Sequence, residues 1–355
     1  MQRFSSRPSA DTAAVVSYAG DLVRDWLARS ATGHTAGADH LVLTMYQPDQ
    51  VRDRLRGLPS RASEAAQTMQ AFANILLKTP AVRRLASPPL LRDVLALKHR
   101  FPNFGEAIDT LARATALANL HPMTSPRFAP LLLVGPPGIG KTAFARAVAR
   151  TFGVPFHMLQ FSHATASFSL GGLDLQYANG GPGWLANTVA LSDCADPFVL
   201  LDEIEKAESD LHHDPRAALY SLWDDSASAF VDDGLKFPLN FTGIRWIATC
   251  NDMARLHGAL ISRCTVVNVP PPTPDQTAGI VKNIYAGLIA DAPWGRHFEP
   301  QLRAEVVEVL ADHLPRDIKK SLVSALGPAA LRGQRHISAK ELARVGRRPS
   351  IGFLS

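Results

Sequence analysis

Along residues 12–29, apolar positions recur at Val15, Ala19, Leu22 and Trp26, with Val16, Val23 and Leu27 beside them, while Asp21, Arg24, Asp25 and Arg29 fall between. That spacing is the period of an amphipathic helix, and Asp11 stands where it would cap one. A Gly/Thr/Ala stretch near 31–38 interrupts the pattern. The segments around 62–78, 89–99 and 105–119 resume it, divided by Pro80, Pro88-Pro89 and Pro102. The N-terminal third therefore reads as helical.

The pattern changes at Pro130. Short apolar runs now alternate with helical spacing: Leu131–Val134, Phe156–Phe161, Phe198–Leu201, Arg245–Thr249 and Thr265–Val269. Such runs predict buried strands, and their alternation with helices predicts a parallel sheet. The run Pro270-Pro271-Pro272-Thr273-Pro274 ends this part. Thr273, with Pro274 next and Gln276 three positions on, reads as a capping box with proline at the first helical position. From there the chain is helical in pattern to about residue 345, with no strand run. The expected fold class is α/β with a small all-helical lid. Residues 1–99 form a helical N-terminal region, 100–270 an α/β core with a helical lead-in, 271–345 the lid, and 346–355 a basic tail. No internal repeat is evident.

Composition adds limits. Of 355 residues, 46% are hydrophobic and 19% charged, enough apolar content for sizeable cores. No stretch approaches the roughly 18 uninterrupted apolar residues of a membrane span, so no membrane partner is expected. No apolar run follows a basic start, so no secretory signal is expected. The three cysteines, Cys194, Cys250 and Cys264, make neither a disulfide framework nor a C-x-x-C zinc pattern. A reducing cytoplasm is the expected compartment. The net charge is +5, and residues 1–129 hold 16 Lys+Arg against 10 Asp+Glu, the remainder 21 against 22. The basic excess of the N-terminal third is either a solvated helical surface or a face for nucleic acid or another acidic partner.

The strongest chemical signal is Gly135-Pro136-Pro137-Gly138-Ile139-Gly140-Lys141-Thr142, followed by Ala143. It fits the P-loop pattern G-x-x-x-x-G-K-[ST], with an apolar strand before it and an Ala-rich helical stretch after it. Glycines let backbone N–H groups turn toward phosphate oxygens, and the following helix adds its positive end. Lys141 would reach the β- and γ-phosphates of ATP, and Thr142 would ligate Mg²⁺. The second signal is Phe198-Val-Leu-Leu-Asp202-Glu203, an apolar strand ending in two acids. Asp202 suits a Mg²⁺ ligand, and Glu203 suits the base that polarises the attacking water. The third is Trp246-Ile-Ala-Thr-Cys-Asn251, a strand whose terminal amide would lie near the γ-phosphate and orient water.

Together these three strand ends resemble the AAA+ ATPases, in which Asn251 matches the sensor 1 position. Roughly residues 130–335 are similar to the ATPase module of the Lon proteases. Tyr177-Ala-Asn-Gly-Gly-Pro182-Gly183 resembles the Lon segment that carries a pore-loop aromatic. Asp214-Pro215, Ala218-Leu219, Leu222 and Ala229-Phe230 resemble the stretch between the acidic strand end and sensor 1. The resemblance implies a five-stranded parallel sheet and a site for ATP and Mg²⁺ between P-loop and lid. It implies that Arg263 is an arginine finger donated to a neighbouring subunit, and that Arg316 is the sensor 2 residue of the lid. It implies a homo-oligomer, a hexameric ring, in which Tyr177 grips a protein substrate. Ser262 stands where the family carries Asp, Pro315 where it carries a small residue, and Ala178 where it carries a bulky aliphatic residue. About ten residues follow the last lid-like helix, too few for the proteolytic domain of Lon.

The resulting expectation is an ATP-hydrolysing, protein-remodelling or unfolding ATPase without its own peptidase, acting on a protein substrate or through an adaptor. A nucleotide-driven switch or assembly scaffold is the alternative, and a nucleic-acid-stimulated ATPase a further one. His212-His213 beside Asp214 do not read as a metal site, because adjacent helical side chains point about 100° apart.

Overall fold

The structure, a computed structural model, describes residues 41–58, 64–121, 124–161, 168–177, 180–190, 192–207 and 216–346. The helix expected over 12–29, the His212-His213-Asp214 run, Ala178, and the tail with Arg347 and Arg348 lie outside the described residues.

In chain order the first elements are β1 (Val42–Thr44), α1 (Pro48–Arg56), α2 (Glu64–Lys78), β2 (Val82–Arg84), α3 (Leu91–Arg100) and α4 (Gly105–Ala118). The core continues with β3 (Leu131–Val134), α5 (Lys141–Phe152), β4 (Phe156–Gln160), β5 (Phe198–Asp202), α6 (Ala217–Leu222), β6 (Phe230–Val231), β7 (Pro238–Leu239), β8 (Arg245–Cys250) and β9 (Thr265–Asn268). The chain then forms α7 (Pro274–Asp291), α8 (Ala304–Leu310), α9 (Pro315–Leu331) and α10 (Ala339–Gly346).

The five apolar runs are the five strands of one sheet in the order β4-β5-β8-β3-β9, and every pairing in it is parallel. Strand β5 shows why such a run needs no polar alternation. Its residues Phe198 to Leu201 are fully buried, because successive side chains enter opposite faces that are both covered. Val199 and Leu201 join one core with α2, while Phe198 and Leu200 join another with α3, α4 and α5. Strand β4 departs from the expectation of burial. It lies at the sheet edge and is only half-buried, and the strand stops at Gln160, before the buried Phe161.

Residues 41–99 are not purely helical. Val42–Thr44 and Val82–Arg84 pair antiparallel, a pairing of three-residue strands too short to show a period. The segment is also not a separate packing unit from the core. Met69, Phe72 and Leu76 of α2 are at most 4% exposed, in the same cluster as Leu132, Val199 and Leu201. Burying each such side chain stabilises by about 1.5–3 kcal/mol. Tyr46 Oη lies 2.6 and 2.7 Å from the carbonyls of Leu76 and Thr79, which share its one proton at the open end of α2.

The lid is helical as expected. Thr273 Oγ1 accepts from the Gln276 N–H and Gln276 Oε1 accepts from the Thr273 N–H, a complete capping box at the start of α7. Val281, Tyr285, Val306, Leu310, Ile318 and Leu322 belong to a hydrophobic core of the lid's own. Helix α9 brings its first turn onto the P-loop, where the Arg316 N–H donates to the Gly138 carbonyl at 3.3 Å.

Candidate functional site

The carboxyl ends of β3, β5 and β8 open into a cleft of about 600 Å³, closed on the other side by α7 and α9. Crevices at strand carboxyl ends are where parallel sheets bind ligands. The loop after β3 is shaped by its glycines. Gly138 and Gly140 have φ of +85° and +103°, conformations in which side-chain-bearing residues are strained. A Cβ on Gly135 would lie 2.3 Å from the Val269 carbonyl oxygen, so a larger residue would push the loop off β9. Pro137, Gly138, Ile139, Gly140, Lys141, Thr142 and Ala143 all line the cleft. Gly135 and Pro136 serve it through their carbonyls, which accept from Lys141 Nζ at 2.6 and 3.0 Å.

Lys141 opens helix α5 and is 8% exposed. Its ammonium also donates to Asn251 Oδ1 at 2.9 Å. Burial pulls its pKa down, and the nearby Glu205 and Asp202 carboxylates oppose that shift. Thr142 Oγ1 lies 3.3 and 3.4 Å from the two carboxylate oxygens of Asp202. Asp202 is itself held by Thr249, whose hydroxyl donates to Oδ1 at 2.6 Å. The same hydroxyl accepts the Glu203 N–H at 2.9 Å. Glu203 takes the left-handed conformation, φ 56°, which breaks the strand and turns its side chain into the cleft lining. Its Oε2 pairs with Lys206 Nζ at 2.8 Å.

The lid supplies Arg316 and, one turn on, Lys319; both line the cleft, as do Ile280, Asn283 and Ile284 of α7. Lysine, threonine, two acids, the strand-end amide and the lid arginine thus line one cleft. Arg263 does not join them. It is half-buried outside the cleft lining, with Nη2 3.6 Å from Asp224 Oδ2, Nη1 donating to the Ala259 carbonyl at 2.8 Å, and its guanidinium 5.6 Å from the Tyr220 ring centroid. Tyr177 is 54% exposed, on a loop whose base is closed by a bridge between Leu173 and Gly181.

Several site residues escaped the sequence reading. Thr249 and Glu205 each lie two positions from a predicted residue, Asn251 and Glu203. Thr249 is a polar residue inside a motif and Glu205 stands just past the end of one, and they are buried at 0% and 6% exposure. Gln160 ends β4 in register with Asp202 and lines the cleft. Lys319 was detectable as the i+3 neighbour of Arg316 on one helix face. The three thiols are free, and burial pushes each up to about 12, so none is a nucleophile at neutral pH.

Residues 131–271 match the ATPase family associated with various cellular activities (AAA). A Lon protease of Dictyoglomus thermophilum is 33% identical over 153 residues, covering 43% of this chain and 19% of that protein. The peroxisomal Lon protease homolog 2 of Danio rerio is 29% identical over 230 residues, 64% of this chain and 27% of the relative. The chain thus spans between about a fifth and a quarter of the length of these relatives. Among solved structures, a mutant of Thermotoga maritima RuvB aligns with 16% identity and a TM-score of 0.48, covering 68% of each chain.

Proposed function

We propose, from the match of residues 131–271 to the ATPase family associated with various cellular activities, that this chain binds ATP with Mg²⁺ and hydrolyses it in the cleft between the P-loop and the lid. The observation that carries the reading is the convergence of Lys141, Thr142, Asp202, Glu203 and Arg316 on one cleft, with Asn251 bonded to Lys141 there.

The residues present fit both groups. The positive-φ glycines turn the loop backbone into a phosphate cradle at the start of α5. The hard oxygens of Thr142 and Asp202 suit Mg²⁺. Among the described residues no group of three or more His, Cys, Asp or Glu side chains is arranged to hold a metal, so the remaining ligands would be phosphate and water oxygens. Bound Mg²⁺ would neutralise charge on the phosphates.

In this account Lys141 binds the β- and γ-phosphates, and Arg316 carries the lid's contact with the nucleotide. Glu203 polarises the attacking water for in-line displacement at the γ-phosphorus and takes its proton. Asn251 orients that water. Arg263 stabilises the transferring phosphoryl group of a neighbouring subunit. Its place outside its own subunit's cleft supports that assignment, and a finger given to a neighbour requires an oligomer, for which a closed ring is the simplest form. A hexamer is what the resemblance to the Lon ATPase module implies. The division proposed is that of the sequence, an N-terminal region over 1–99, a core over 100–270, a lid over 271–345 and a tail over 346–355, and the cluster that α2 shares with β3 and β5 supports grouping residues 41–99 with the core. Three free, buried or half-buried thiols fit a reducing compartment such as the cytoplasm. Among the described residues no helix is long and apolar enough to cross a membrane.

We further propose that hydrolysis drives remodelling of a protein substrate gripped by Tyr177. The exposure of that ring on a loop supports it. A nucleotide-driven switch or assembly scaffold is the second reading, favoured by the Lys206 ion pair that engages the candidate base. The test is steady-state ATPase of the wild type and Tyr177→Ala with an unfolded protein, with DNA, and with neither. Stimulation by unfolded protein that Tyr177→Ala loses supports remodelling. A normal basal rate with no response to either addition supports the switch, and stimulation by DNA alone supports a nucleic-acid role.

A further inference from the structure

We propose that Glu205 is a positioning residue for Asn251: it fixes which edge of the side-chain amide is turned toward the phosphate site. The proposal rests on the ATPase reading above and adds a residue to it. An asparagine amide carries an acceptor on one edge and two donors on the other, and a half-turn exchanges them. In this site three hydrogen bonds decide the matter. Glu205 Oε1 accepts from the Asn251 backbone N–H at 3.0 Å and from Asn251 Nδ2 at 2.9 Å. On the opposite edge Lys141 Nζ donates to Oδ1 at 2.9 Å. A carboxylate only accepts and an ammonium only donates. The flipped amide would face oxygen with oxygen at Glu205 and donors with donors at Lys141, losing both side-chain bonds.

The turn after β5 makes this division of labour possible. Glu203 leaves the strand in the left-handed conformation, and a single 3₁₀ turn, Ile204–Lys206, comes next. Glu203 therefore lines the cleft, while Glu205, two residues on, is 6% exposed and directed at the end of β8. Its second oxygen, Oε2, is buried with no hydrogen-bond partner in the structure. A carboxylate left half-satisfied in the interior is costly, and here its Oε1 does the orienting. The consequence for the reaction is directional. When Lys141 turns to the phosphates, Asn251 Oδ1 loses its donor but not its orientation. It then offers an acceptor to an O–H of the attacking water, rather than a donor to phosphate.

The test compares Glu205→Ala, Glu205→Gln, Asn251→Ala and the double variant Glu205→Ala/Asn251→Ala in the full chain. Glu205→Ala is expected to lower kcat roughly 10²-fold, the scale of a mispositioned catalytic group, while a fluorescent ATP analogue binds within about threefold of wild type. Glu205→Gln keeps an oxygen for both Asn251 donors and is expected to retain kcat within about threefold. The double variant is expected to be no slower than Asn251→Ala, because two residues acting as a unit are not additive. Wild-type kcat in Glu205→Ala, fully additive losses in the double variant, or equal losses in the Gln and Ala variants would each overturn the proposal. Hydrogen exchange of the Asn251 backbone amide reads the contact without reference to turnover. It is expected to quicken in Glu205→Ala and not in Glu205→Gln, and unchanged exchange in Glu205→Ala also overturns the proposal. A wild type without turnover would sink the ATPase reading, and the exchange result would then decide alone whether Glu205 holds Asn251.

Discussion

Lys141 Nζ donates to Asn251 Oδ1 across 2.9 Å, tying the P-loop lysine to the end of the neighbouring strand β8. Two loop carbonyls, of Gly135 and Pro136, hold the same ammonium. The lysine is therefore placed by three oxygens that ATP phosphates would replace. Lys141→Ala removes the charge-assisted contact to those phosphates, worth about 1.5–3 kcal/mol in all once the three oxygens it gives up are counted, so ATP affinity should fall by about 10- to 100-fold. Titration with a fluorescent ATP analogue measures it, and unchanged affinity would show that the lysine does not contact the nucleotide.

Lys206 pairs with the carboxylate of Glu203, and both side chains are partly exposed, at 47% and 32%. Exposed pairs of this kind contribute under about 1 kcal/mol. The pair engages the proposed base, so Lys206→Ala should raise basal turnover by roughly 2- to 5-fold with little change in ATP affinity. A slower Lys206→Ala enzyme would mean that the lysine supports the base instead of restraining it.

Asp232 joins the base of the Tyr177 loop to the β6–β7 hairpin. Its carboxylate accepts from the Gly183 N–H at 2.8 Å and from the Gly234 and Leu235 N–H groups at 2.9 and 3.1 Å. A Cβ on Gly172 would sit 2.2 Å from Oδ1, so loop and carboxylate pack without slack. Burial pushes the Asp232 pKa up to about 6 from 3.8, against the pull of the three N–H donors. A raised folded-state value means the fold favours the protonated form. That contribution is fully present below the unfolded value and is lost as pH rises through about 6. Asp232→Asn cannot titrate, so the stability gap in favour of wild type should widen as pH falls from neutral toward 4, by up to roughly 3 kcal/mol. Denaturant melts of both proteins across that range measure it, and a gap that narrows on acidification would contradict the assignment.

The core was legible where one physical signal dominates. Strand β5 is buried on both faces, so Phe198–Leu201 is apolar without interruption, and Thr273 and Gln276 announce the start of α7 by a local hydrogen-bond pattern. The P-loop was legible because its glycines and lysine are needed at fixed spacing. Strands β1 and β2 were not, since three residues cannot distinguish a period of two from one of 3.6. The roles of Thr249 and Glu205 were hidden for another reason. Their partners, Asp202 and Asn251, are 47 and 46 residues away in the chain, and only the parallel pairing of β5 with β8 brings them together.

Arg263 meets the Asp224 carboxylate at 3.6 Å, the Ala259 carbonyl and the Tyr220 ring among the described residues. Arg263→Ala should leave ATP binding intact and lower turnover by ~10³-fold or more. Mixing Arg263→Ala with Glu203→Gln should restore part of the activity, because some interfaces then combine an intact base with an intact finger. A mixture as inactive as its components would contradict donation between subunits.

Steady-state ATP hydrolysis by the wild type and Glu203→Gln, beside their ATP affinities, tests the central claim most directly. The account predicts Mg²⁺-dependent turnover in the wild type, and in Glu203→Gln near-normal ATP binding with turnover lower by roughly 10²- to 10⁴-fold. Equal turnover in the two proteins would contradict it.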